Sequence, residues 1–152
     1  MVNIDAQQRN RPDYDIKHIL RNNEKSVCDV INHFMLACTR KGIEMPTSPE
    51  PWHRIIRDSV HMANAPISLE RVMFSSESYP RSREVDEWLN ILVISGCVHV
   101  PSPQFKEYNL DKGVMELWSR EFESAPQNYK EFIDEISEKA RIEFKEFKTR
   151  RY

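Results

Sequence analysis

The chain has 152 residues, 39% of them hydrophobic, with 22 basic residues against 24 acidic ones for a formal net charge of -2. That is enough apolar material for one domain with a sizeable core, and the near balance of charge gives no global attraction for nucleic acid, so any basic surface must be local. No stretch reaches the ~18 apolar residues of a membrane span, and the first eight residues lack the basic-then-apolar order of a secretory signal, which points to a cytosolic protein with no membrane contact.

Residues 1–13 are polar, with Arg9, Arg11 and Pro12, and read as a flexible arm. Such a basic arm can enter a DNA minor groove, although this composition is commoner in frayed termini. Tyr14, Ile16, Ile19 and Leu20 are enough for a short helix. Asn22 or Asn23 can cap the next one, in which Val27, Val30, Ile31, Phe34, Met35 and Cys38 form the clearest apolar stripe of the chain. Gly42 closes it, and Met45 to Pro51, with three prolines in seven residues, reads as a loop.

Pro51 suits the first turn of a helix that buries Trp52, Ile55, Ile56, Val60 and Ala63. Asn64-Ala65-Pro66 ends it. Ser68 then caps a short helix carrying Leu69, Val72 and Met73, and Ser75 to Pro80 is a turn. The spacing of Val85, Trp88, Leu89, Leu92 and Val93 predicts a helix over about 82–95, capped by Ser82 and ended by Gly96. Val98-His99-Val100 and Phe105 to Leu110 are strand-like runs separated by Pro101-Ser102-Pro103, which predicts a hairpin. Asp111 can cap a following helix with Val114, Leu117, Trp118 and Phe122 inward.

The last predicted helix covers about 125–148. Ser124 and Gln127 suit a capping box, Pro126 suits the first turn, and Tyr129, Phe132, Ile133, Ile136, Ala140, Phe144 and Phe147 run down one side. Glu135 with Lys139, and Glu146 with Arg150, have the favourable four-residue spacing. At ~22 residues this helix would be about 33 Å long, so Phe144 and Phe147 need cover from the N-terminal helices or from a second copy of the chain. A homodimer through this helix is expected, since soluble monomers tend not to expose such a strip.

The order short helix, helix, glycine, hairpin, helix resembles a winged helix-turn-helix domain. The residues that carry the resemblance are Leu89 and Leu92 in the third helix, Gly96-Cys97-Val98 entering the wing, and Tyr108-Asn109-Leu110-Asp111-Lys112-Gly113 leaving it. Gly113 stands one residue earlier than in the usual pattern. The resemblance covers roughly 51–122 and implies a mainly α fold within residues 14–152: a winged-helix-like core with a small β-hairpin, N-terminal helices and a long C-terminal helix. The turn over 75–80 is longer than the tight form of the motif.

Catalytic signatures are missing from the sequence. Its three glycines, Gly42, Gly96 and Gly113, are all accounted for by helix ends or turns, so no phosphate-cradling loop can be built. His18, His33, His53, His61 and His99 show no metal-ligand spacing, and Cys28, Cys38 and Cys97 lie in apolar runs as expected for reduced, buried thiols. The expectation is a non-enzyme with neither cofactor nor metal.

Binding remains. A helix read into the major groove offers basic and amide side chains, yet here Arg81 and Arg83 meet Glu84, Asp86 and Glu87, and in the wing Lys106 meets Glu107. The C-terminal stretch from Lys139 is locally basic. A DNA-binding regulator would use Arg81, Ser82, Arg83 and Asn90 at bases or phosphates, with Lys106, Lys148, Arg150 and Arg151 on the backbone. The alternative is a protein-interaction module, a subunit of an assembly or an inhibitor, that uses Glu84, Glu87, Phe144 and Phe147 against a protein partner.

Overall fold

The computed structural model describes residues 25–151. The arm over 1–13, the short helix over 14–20 and the Asn22 and Asn23 caps lie outside the described residues. The first described helix, α1 (Val27–Arg40), starts at Ser26: its hydroxyl accepts the Asp29 N–H at 3.1 Å, and the Asp29 carboxylate accepts the Ser26 N–H at 3.0 Å. This reciprocal box satisfies two donors that a helix start leaves open. At the other end Gly42 has φ 71° and the Ile43 N–H reaches the Cys38 carbonyl at 2.8 Å, a left-handed stop. Residues 30–38 of α1 are buried without interruption, so it is the helix around which the others pack.

Strand β1 (Met45–Pro46) lies where a loop was expected. It adds to a hairpin of β4 (Val98–His99) and β5 (Glu107–Leu110), giving an antiparallel sheet of order β1-β5-β4, with Met45 opposite Tyr108 and Val98 opposite Leu110. Pro46 is tolerated because β1 is an edge strand, and its carbonyl accepts the Trp52 indole N–H at 2.7 Å. Helix α2 (Pro49–Ser59) begins at Pro49, two residues before the expected Pro51, and Ala63 lies exposed beyond its end. The expected helix after Ser68 is a 3₁₀ turn over Ile67–Arg71, with Ser68 Oγ donating to the Lys25 carbonyl at 2.6 Å. The expected turn after it is a two-stranded ribbon, β2 (Ser75–Ser76) with β3 (Pro80–Arg81).

Helix α3 (Arg83–Ile94) is capped by Ser82, whose Oγ accepts the Val85 N–H, and Gly96 follows it at φ 83°. Helix α4 (Lys112–Glu123) is capped by Asp111, which accepts the Gly113 and Val114 N–H groups at 3.0 and 3.2 Å. Ser124 closes α4 instead of opening α5 (Gln127–Arg151), and the Pro126 carbonyl accepts the Tyr129 and Lys130 N–H groups. Within α4, Trp118 is buried as expected, but Leu117 is half exposed. Cys38 is buried, its thiol pushed up to about 12 by that burial, whereas Cys28 and Cys97 are only partly covered.

Helix α5 packs along α1 and α2. Phe144 stands 5.0 Å from Trp52 and 6.2 Å from Phe34, ring centre to ring centre, and Phe144 and Phe147 are 3% and 2% exposed. Phe144, expected to meet a second copy or a protein partner, is therefore covered by α1 and α2, and Phe147, expected on the same strip, is buried as well. Val85, Leu89 and Leu92 join Ile55, Ile56, Val72 and Trp118 in the same core, and Trp88 is half-buried with its indole N–H on Asn32 Oδ1 at 2.8 Å. No helix among the described residues is long and apolar enough to cross a membrane.

Candidate functional site

The N-terminus of α3 is held by a buried histidine of α2. His53 is fully enclosed; its Nδ1 accepts the backbone N–H of Ser82 at 2.9 Å and its Nε2 lies 2.8 Å from Asp86 Oδ1. A backbone N–H only donates, so the ring proton is on Nε2 and goes to Asp86. The other oxygen of Asp86 is 2.6 Å from Arg81 Nε. Burial pushes the His53 pKa down, against the pull of Asp86; burial also raises that of Asp86, but the Arg81 and His53 bonds outweigh it and hold the carboxyl below its ordinary range.

Ser82, His53 and Asp86 thus meet in space, yet not in the order of a nucleophile, a base and an orienting acid. Ser82 is buried and its Oγ caps the helix, while the imidazole nitrogen nearest Ser82 is occupied by the serine's backbone. This is a latch between α2 and α3.

The residues expected to meet DNA fare differently from one another. Ser82 is enclosed and has no surface to offer. Arg81 is committed to Asp86, and Arg83, although 90% exposed, lies 2.9 Å from Glu87 one turn on. Asn90 and Glu84 are exposed. Lys148 pairs with Glu44 and lies 3.9 Å from Glu107, and Arg150 lies 3.9 Å from Glu143 and over the Phe147 ring at 5.8 Å. The Arg151 side chain lies outside those described. Four of the expected cations therefore face carboxylates of their own chain, which reduces the field they offer to phosphate.

The outward side of α3 holds two residues missing from the sequence-based set. Ile91 is 48% exposed and Ile94 76% exposed. At about 100° per residue, a helix that buries Val85, Leu89 and Leu92 turns positions 83, 84, 87, 90, 91 and 94 outward. The inner stripe of Val85, Leu89 and Leu92 implies this outward placement of Ile91 and Ile94. The outer face therefore passes from Arg83, Glu84 and Glu87 to an apolar end at Ile91 and Ile94.

A second site lies across the sheet. The β4–β5 hairpin, the approach to β1 and the last turns of α5 line a cavity of about 330 Å³, with Glu44, Glu107, Lys106 and Lys148 on its walls and Pro46 and Phe144 among its lining residues. Lys106 and Lys148, expected at a DNA backbone, thus come together here, well separated in sequence from Arg83 and Asn90 and on other elements. Among the described residues no group of three or more histidines, cysteines and carboxylates is placed to hold a metal ion.

No protein-family model matches the chain, and no curated protein and no solved structure is significantly similar to it.

Proposed function

We propose that the chain is a protein-interaction module built on a winged-helix-like frame, with the outer face of α3 as its contact surface. The frame is supported by the order α1, β1, α2, α3, β4, β5 and by the sheet order β1-β5-β4, in which the first strand joins the far strand of the wing. In this reading the unit runs from Val27 to Leu110, so α1 is its first helix and β1 its first strand, and α4 and α5 are additions. The ribbon of β2 and β3 is part of an insertion between the second and third helices.

The observation that carries the functional reading is the exposure of Ile91 and Ile94 at the end of a helix whose carboxylates match its own Arg83 and the preceding Arg81. An exposed apolar end beside acidic side chains suits a partner surface that is apolar and basic, where burial supplies affinity and charge supplies orientation. A DNA-binding regulator is the second reading; it is favoured by Arg83, which stands exposed in the first turn, where a helix N-terminus also favours phosphate.

A photo-crosslinking side chain placed at 94 in the native host tests the main reading. A discrete protein adduct that disappears with Ile91→Asp, and that is not formed from a probe at 57 on α2, is expected. Adducts of equal yield from both positions would contradict it.

A further inference from the structure

The outer face of α3 joins acidic first turns, Glu84 and Glu87, to an apolar end, Ile91 and Ile94. Glu87 is bonded to Arg83, but Glu84 is exposed and takes no part in the ion pairs of the described residues. A segment that covers this face needs a basic group over the first turns and apolar groups over the last one.

The chain carries such a segment close to where α1 begins. Residues 16–21 (Ile16-Lys17-His18-Ile19-Leu20-Arg21) lie outside the described residues, but their sequence puts Ile16, Ile19 and Leu20 at the three-and-four spacing of one helical side, with Lys17 and Arg21 along its edge and no carboxylate among them. Their attachment point is fixed beside the start of α3. The Lys25 carbonyl accepts Ser68 Oγ at 2.6 Å, and Asn32 Oδ1 of α1 accepts the Trp88 indole N–H of α3 at 2.8 Å. One turn earlier, burial and then Asp29 and Glu84 raise the pKa of Cys28. Residues 28 and 32 of α1 therefore lie by residues 84 and 88 of α3, and the two helices run in the same direction from a common end.

Reach and order both fit. Leu20 stands five positions before Lys25, an extended span of up to about 17 Å, whereas Glu84 to Ile91 is about 10 Å along the helix. Going back from Lys25 the segment presents Arg21 and then Leu20, Ile19 and Ile16; going forward from its start α3 presents Glu84 and then Ile91 and Ile94. We infer that residues 16–21 bind the outer face of α3 within the same chain, with Arg21 at Glu84 and the three apolar side chains over Ile91 and Ile94. The inference rests on the reading of that face as a contact surface, and it makes the segment a competitor of the protein partner. A tether this short gives an effective concentration on the order of mM, so even a weak contact occupies the face until a partner displaces it.

The purified full chain with a photo-crosslinking side chain at 94 tests this, the adduct being located by digestion and mass spectrometry. An internal adduct to residues 16–21 is expected, lost with Arg21→Glu and regained when Glu84→Arg is added. In the native host, Ile19→Asp should raise the yield of the partner adduct from the same probe. No internal adduct, an adduct only to other residues or to a second copy, no recovery with Glu84→Arg, or an unchanged yield of a captured partner would overturn the inference. Partner capture without an internal adduct overturns the inference and leaves the reading of α3 standing; an internal adduct without any partner capture does the reverse.

Discussion

His53 Nδ1 accepts the backbone N–H of Ser82 at 2.9 Å, so a side chain of α2 completes the start of α3. Through Asp86 the same ring reaches Arg81, and one imidazole thereby sets the position of the helix whose outer face is proposed to meet a partner.

Removal of that ring should be costly. His53→Ala leaves the buried Ser82 N–H unmet and takes a donor from Asp86, and each unmet buried group costs about 1–3 kcal/mol. Urea denaturation should show a loss in that range or above it, since a cavity is also left. A loss under about half a kcal/mol would show that the latch does not hold α3.

Phe144→Ala should destabilise by roughly 3–5 kcal/mol, the range for deleting a buried aromatic ring, because Phe144 packs between Phe34 and Trp52. A small loss would mean that the end of α5 is not seated on α1 and α2.

Acid should loosen the contact between α1 and α5. His33 of α1 is 1% exposed, with Nδ1 2.7 Å from the Tyr129 hydroxyl. Its Nε2 has no hydrogen-bond partner among the described residues, the nearest acid being Glu121 at 3.7 Å. Burial, aided by Lys25 and opposed by Asp29, lowers its pKa to about 4. The unfolded chain, titrating near 6.5, therefore binds the proton that the folded chain refuses between those values. Stability is fully present above about pH 6.5 and falls as pH drops toward 4, by up to about 3 kcal/mol from this group. Denaturation midpoints of the wild type and His33→Gln across pH 4–7 should differ in slope, the variant being flatter; parallel curves would remove His33 as the cause.

Much of the helical fold was legible in the sequence. The stripes of α1, α3 and α5 and the stops at Gly42 and Gly96 predicted their elements closely, because an apolar period and a left-handed glycine are local signals. What escaped was long-range. Met45–Pro46 reads as a loop on its own prolines and becomes a strand only because Tyr108 and Glu107 lie beside it. Phe144 is exposed on an isolated helix and buried once Phe34 of α1 and Trp52 of α2 are in place. The candidate site was half legible: the mixed charge of α3 was plain, but the bond from His53 to Asp86, which Asp86 extends to Arg81, spans 33 positions. Nothing local in the sequence announces it.

Ile91→Asp and Ile94→Asp should leave stability within about half a kcal/mol of wild type, as for exposed positions generally, while weakening partner capture by at least roughly tenfold. Loss of both fold and capture would indicate that the two isoleucines belong to the core.

The central claim, that the outer face of α3 meets protein and not nucleic acid, is tested most directly by a mobility-shift titration of the full chain on random and genomic DNA fragments at low and moderate salt. Low salt is where phosphate contacts are strongest. The predicted result is no complex at either salt, with Arg83→Ala indistinguishable from wild type. A low-salt complex that weakens steeply as salt rises, and that is lost with Arg83→Ala or tightened by Glu84→Gln and Glu87→Gln, would contradict the claim and identify α3 as a DNA-reading helix.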